Sequence, residues 1–188
     1  MSANQGSGMT APAALAATWN RELASSSQGT VYRFQNLDPE GDSMSIAAFE
    51  DLGSAQEATS ALNSASDAMD WATYRHGRSG SNPGPSEFDS APYVFAARIF
   101  TPPDWVSPFR EWLHEEHFDL QLTTPGFLWS HGYEAVDAPF HFFNLWGMEQ
   151  PDIPNSDVYA EIRNTPWFAK IEPAFPLFKP RRATYRRA

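Results

Sequence analysis

Glu111-Trp112-Leu113-His114-Glu115-Glu116-His117 runs on through Phe118 to Thr124 and stops at Pro125-Gly126-Phe127. This stretch puts two histidines and three carboxylates on one short amphipathic helix. Phe109, Leu113 and Leu120, with Trp112 alongside, mark its inward face. At about 100° per residue, Glu116 and His117 fall on or beside that face. An ionisable pair there is costly to bury without a partner or a purpose. The Pro-Gly stop then delivers the chain into a strand rich in Trp, His and Tyr.

Working outward, Tyr93–Phe100 reads as a strand broken by Thr101-Pro102-Pro103-Asp104. Ser107-Pro108 reads as the helix opening, with serine capping and proline in the first turn. Phe127–Tyr133 and Ala138–Trp146 read as strands. Gln150–Asn155 turns, and Ser156 caps a helix that runs to about Asn164. Pro166-Trp167-Phe168 and Pro173-Ala174-Phe175 read as a final strand or extended arm. In the first half, Ala13–Ser25 reads as a helix carrying Trp19 and Leu23. Thr30–Leu37 and Ser43–Leu52 read as strands, and Ser54–Ser66 as a helix opened by a Ser54/Glu57 capping box. Trp71–His76 reads as a short edge strand. Gly77–Ser90, rich in Gly, Ser and Pro, reads as a linker or long loop.

The two halves share a rhythm. The strand opening at Val31 is followed thirteen residues later by the one at Met44, and the strand opening at Phe127 thirteen residues later by the one at Phe140. Each pair has a Trp-bearing helix before it and a helix after it. The expected fold is α+β: two tandem units, each an antiparallel sheet with helices on its outer face, packed through their open faces. The divisions are a disordered tail (1–12), a first unit lacking an evident leading strand (13–76), a linker (77–92), a second unit (93–175) and a basic tail (176–188).

The second unit resembles the dimeric α+β barrel superfamily of ferredoxin-like proteins, and within it the EthD-like proteins. The resemblance rests on Trp112, Glu116, His117, Pro125, Gly126 and Phe127, then Asn164, Thr165, Pro166 and Trp167, in that order. It covers roughly residues 93–170. The first unit looks like a degenerate copy without the Glu-His pair and the Pro-Gly-Phe stop. Tandem copies imply a barrel closed within one chain or in a larger assembly. Relatives include cofactor-free monooxygenases, polyketide cyclases, isomerases, lyases and haem proteins, so the fold alone chooses no reaction.

His117 is the leading candidate for chemistry: it matches the Glu-His position and its phase turns it inward, where a histidine can exchange a proton near neutral pH. Glu116 could orient it, or pair with an arginine such as Arg98. By period two, Phe127, Trp129, His131 and Tyr133 share one strand face. His131 and Tyr133 are therefore expected as a second proton donor or carbonyl-polarising pair. Trp112, Trp129, Phe142 and Trp146 are expected as an apolar wall, with His141 and Asn144 as polar anchors. His114 and His117 are three apart, and neither H-x-H nor H-x-x-x-H occurs, so no metal is expected. No Gly-rich phosphate loop and no G-x-S-x-G is present, which argues against nucleotide cofactors and a serine nucleophile.

Composition bounds the rest. Seven Trp and fourteen Phe in 188 residues suit a core and a pocket for flat ligands. The net charge of −10 argues against nucleic acid as partner. Cysteine is absent. The first ten residues do not look like a signal peptide, and no apolar run is long enough to span a membrane, so a cytoplasmic location is expected. The expected function is a cofactor-independent lyase or dehydratase acting on a small aromatic or hydrophobic carbonyl or hydroxyl compound, in a homodimer. The alternatives are an isomerase, a cyclase or a cofactor-free monooxygenase on the same fold, or a non-catalytic barrel that binds a hydrophobic ligand.

Overall fold

The computed structural model describes residues 11–20, 23, 29–60, 71–82, 90–136 and 140–188. They form eight strands: β1 (Ala14–Trp19), β2 (Thr30–Asn36), β3 (Met44–Phe49), β4 (Trp71–Ser81), β5 (Tyr93–Ile99), β6 (Phe127–Ala135), β7 (Phe142–Met148) and β8 (Arg181–Arg187). The helices are α1 (Leu52–Ser60), α2 (Pro103–Trp112), α3 (Phe118–Leu122), α4 (Asp157–Glu161), α5 (Phe168–Ile171) and α6 (Phe175–Phe178). A π-helical turn, Leu113–His117, joins α2 to α3.

The strands close into one barrel in the order β1-β3-β2-β8-β5-β7-β6-β4, each antiparallel to its neighbours. Each half contributes a four-stranded sheet of the same order, β4-β1-β3-β2 and β8-β5-β7-β6. The seams are β2–β8 and β4–β6. The expected α+β barrel is thus present and closes within one chain, leaving no sheet edge to be covered by a second copy. Leu15, Trp19, Tyr32, Phe34, Ile46, Tyr74, Trp129, Tyr133 and Phe143 fill its interior. A second cluster, including Phe95, Phe109, Trp112, Phe118, Trp146 and Phe178, lies between the outer face of the second sheet and its helices.

Several element readings need correction. The helix expected over Ala13–Ser25 is instead β1, which supplies the first unit with a leading strand; residues 21–22 and 24–28 lie outside the described set. Alanine favours helix by only fractions of a kcal/mol. All six residues of β1 are buried, and Ala14–Thr18 pair on both sides, so packing overrides propensity. Asn20, at φ 59°, ends the strand, and its Oδ1 accepts the Ser43 N–H at 3.2 Å.

β4 is neither short nor an edge. Its register shifts between His76 and Arg78, a bulge at Gly77, and pairing with β6 continues to Ser81. The expected linker therefore begins later, and its residues 83–89 lie outside the described set. The basic tail is β8, which joins the halves by pairing with β2 and β5. The expected arm over Pro166–Phe175 is instead a run of short helical turns.

Asp51, not Ser54, caps α1: its carboxylate accepts the Ser54 N–H at 2.9 Å. The end of that expected helix (61–66), the tail residues 1–10 and the strand start at Ala138 lie outside the described residues. α2 starts at Pro103 rather than Ser107. Ser156 caps α4 as expected, accepting the Tyr159 N–H at 3.2 Å. Gly126 takes φ 92°, and a side chain there would meet Ile153 at 2.5 Å, which explains the Pro-Gly stop. Among the described residues no helix is long and apolar enough to cross a membrane.

Candidate active site

The π-helical turn builds one wall of the site. In a regular α-helix, residues five apart are separated by about 140°. The wider π turn brings Trp112 and His117 onto one face. Their rings stack with centroids 4.3 Å apart. Glu116 is held away from His117: its Oε1 accepts from Trp112 Nε1 at 3.1 Å and from Thr165 Oγ1 at 2.7 Å. Thr165 Oγ1 also accepts the Phe168 N–H at 2.9 Å. Glu116 and Thr165 therefore lock the helix to the turn that leads into α5. Arg98, the other partner expected for Glu116, lies at the interior side of β5 over the Trp19 ring, at 3.5 Å.

The outer face of the second sheet is the floor. Pairing places Gly132, Asn144, Ala97 and Arg182 side by side on four adjacent strands. The small Ala97 leaves space on one side of Asn144, and on the other the missing side chain of Gly132 makes room for the Phe118 ring. At Gly132 a Cβ would stand 2.7 Å from the Phe118 ring and 3.5 Å from Asn144 Oδ1. The resulting cavity is lined by Phe95, Ala97, Trp112, His117, Asn144, Trp146, Tyr159, Arg163, Phe168, Phe175, Phe178 and Arg182, among others. Its volume is about 30 Å³, room for about two water molecules.

Three features give this cavity chemical potential. Burial, reinforced by the charges of Arg163 and Arg182, pushes the His117 pKa down to about 3. The imidazole is neutral at neutral pH. Both side-chain polar atoms of Asn144 and the Trp146 indole N–H are buried without a hydrogen-bond partner among the described residues, a costly state. Arg163 and Arg182 stand near the rim, and neither is in an ion pair among the described residues.

The expected site residues divide between two faces of one sheet. Trp112, His117, Asn144 and Trp146 line the cavity. Phe142 is beside it, packed on Phe109 with centroids 5.2 Å apart. Trp129, His131 and Tyr133 do not join them; Trp129 and Tyr133 belong to the barrel interior, where His131 stacks on Trp129 at 4.8 Å. The register of β6 against β7 shifts between Phe127 and Trp129, so Phe127 faces the helices and Trp129 the interior despite their even spacing. His131 Nδ1 meets Ser79 Oγ at 2.6 Å, and that hydroxyl meets His76 Nε2 at 2.8 Å. Burial, with His76 nearby, lowers the His131 pKa to about 4, and burial raises that of the Tyr133 phenol. His141 Nδ1 accepts the Thr101 N–H at 3.2 Å, away from the cavity. The sequence reading missed Arg163, Tyr159 and Arg182. Arg182 was hidden within the supposed tail.

A larger cavity of about 440 Å³ opens beside Trp19, Arg98 and Tyr185. Arg98 and Arg181 line it together with Asp38, Glu40 and Asp42, Arg182 borders both cavities, and none of the buried unpartnered polar atoms lines the larger one. The smaller cavity is therefore the better candidate for chemistry.

No protein-family model matches the chain, and no curated protein matches it. Solved structures do. The chain has the ferredoxin-like α+β barrel fold. A ferredoxin-fold protein from Listeria monocytogenes related to antibiotic biosynthesis monooxygenases superposes with a TM-score of 0.59 at 14% identity, over 95% of this chain and 96% of that one. An anthrone oxidase-like protein gives 0.60 at 8%, over 93% and 90%. The heme-degrading enzyme of Listeria monocytogenes gives 0.53 at 13%, over 92% and 98%.

The expectation of a lyase is overturned. Several of the matching structures are named monooxygenase-related, anthrone oxidase-like or heme-degrading, and another a regulator of staphylococcal pathogenesis; none of these names supports a lyase. The second proton donor that the lyase reading required, His131 with Tyr133, also lies on the far side of the sheet from His117.

Proposed function

We propose that the chain is a cofactor-free oxygenase of a small aromatic molecule bound in the outer cavity of the second unit. One observation carries this reading. A neutral, buried histidine shares an aromatic-walled space with the unpartnered Asn144 amide and Trp146 N–H. The names of proteins that share the fold, monooxygenase-related and anthrone oxidase-like, support it. Within that fold we place the chain with the EthD-like proteins, on Trp112, Glu116, His117 and the Asn164–Trp167 ending.

His117 takes a proton from an enolisable or phenolic substrate. Asn144 and Trp146 donate hydrogen bonds to the oxygen on which negative charge develops. The delocalised anion supplies the electrons to O2. One oxygen atom enters the product and the other leaves as water. The low basicity of His117 comes first from burial and then from the Arg163 and Arg182 charges; a substrate anion beside the ring favours the protonated imidazole and so opposes both. A ring enters by displacing side chains such as Phe175 and Phe178, because the empty cavity is small.

The heme-degrading neighbour raises a macrocycle as another occupant. The residues present do not fit one: among the described residues His117 is the one histidine lining the cavity, and Trp112 covers one face of its ring.

Oxygen uptake with anthrone as probe tests the proposal. Anthrone and O2 give anthraquinone and water. Uptake that matches anthraquinone formed, persists after dialysis against a chelator and falls in His117→Gln is the expected result. Uptake no faster than without protein contradicts it.

A further inference from the structure

The cavity's charge is not explained by an aromatic ring alone. Arg182 lies in line with Asn144 across Ala97, two strand spacings or about 10 Å away. Arg163 joins it at the cavity, with its guanidinium carbon 5.2 Å from the Tyr159 ring centroid. Desolvation depresses the pKa of Arg182, Tyr159 counters that, and the charge of Arg163 adds to the depression. Two neighbouring guanidiniums that repel each other, with no ion pair among the described residues, form a site that an anion relieves.

Resting on the reading that this cavity takes an aromatic molecule, we propose that its substrates are aromatic acids. A ring carboxylate is held by Arg182 and Arg163, while a ring oxygen at the opposite end meets Asn144 and Trp146. The cavity has aromatic rings for walls and the small Ala97 on its floor, so a ring entering between them makes the space a slot. A carboxylate conjugated to a ring stays in the plane of that slot, which a tetrahedral phosphate ester does not. The spacing of Asn144 and Arg182 suits substituents at the two ends of a bicyclic ring better than those of a single ring. The reacting end is then the one at Asn144 and Trp146, and the carboxylate end is the one at Arg182 and Arg163 near the rim, with His117 within the field of both arginines. The arginines are positioning residues that set which molecules enter and which way round.

The test is calorimetric titration of the full chain with 6-hydroxy-2-naphthoate and with 2-naphthol, which lacks the carboxylate. The wild-type protein binds the naphthoate at least about 10-fold more tightly. Arg182→Gln removes that preference, weakening naphthoate binding far more than 2-naphthol binding; Arg163→Gln reduces it; Arg182→Lys restores part of it. Both arginines sit near the rim, and circular dichroism checks that the variants stay folded. Equal binding of the two probes, a preference that survives Arg182→Gln, or no binding of either overturns the inference. The outcomes separate it from the oxygenase reading. Naphthoate selectivity without oxygen uptake from any probe defeats only the oxygenase. Uptake from neutral anthrone without naphthoate selectivity defeats only the arginine site.

Discussion

The Trp112 indole lies against the His117 imidazole, with ring planes 26° apart. That contact depends on the π turn between them and does much to bury the histidine. Trp112→Leu uncovers one face of the ring. The His117 pKa then rises from about 3 towards 6.5. Histidine ring NMR during a pH titration reads the change, and an unmoved pKa would contradict the assigned cause.

Acid should destabilise the protein through two histidines. His117 and His131 are both depressed in the folded state, to about 3 and about 4. Below the ordinary value of 6.5 the unfolded chain takes up protons that the folded one refuses. Their contribution is thus complete above pH 6.5 and is lost as pH falls, at up to about 1.4 kcal/mol per pH unit for each histidine. Urea denaturation between pH 7 and pH 4.5 measures the slope. In His117→Gln it should be about one histidine shallower; an unchanged slope would refute the burial of His117.

Two glycines make room for rings on opposite faces of the second sheet. A Cβ at Gly147 would stand 2.2 Å from the Trp129 ring, and one at Gly132 2.7 Å from Phe118. Gly147→Ala and Gly132→Ala should each cost about 1–3 kcal/mol. Thermal unfolding checks this. Gly132→Ala also pushes Phe118, and with it the π turn, off the sheet, so it should impair catalysis even in molecules that remain folded.

Thr165 joins two motifs that are far apart in sequence. Thr165→Val removes the Glu116 hydrogen bond and the cap on the Phe168 N–H. The expected loss is about 1–3 kcal/mol, again read by denaturation. A neutral result would mean that Glu116 is satisfied by water.

The α+β pairing of two units was legible because its signals are local. The Pro125-Gly126 stop needs a positive φ, Ser156 offers its hydroxyl to a helix start, and Asn144 alternates with apolar neighbours. His117 was found by its inward phase and by the motif it matches. What escaped depends on partners distant in sequence. Six buried alanine-rich residues became β1 because strands cover both of its edges. Arg181–Arg187 became β8 because the barrel needs a strand between β2 and β5. A one-residue shift beside Leu128 placed Trp129, His131 and Tyr133 on the inner face, which no period-two count foresees.

The central claim is that the chemistry belongs to the outer cavity and not to the barrel interior. The most direct measurement compares anthrone-dependent oxygen uptake in His117→Gln and His131→Gln, both checked for folding. The account predicts at least about a 100-fold loss for His117→Gln and a rate near wild type for His131→Gln. Full activity without His117, or loss on replacing His131 alone, would contradict it.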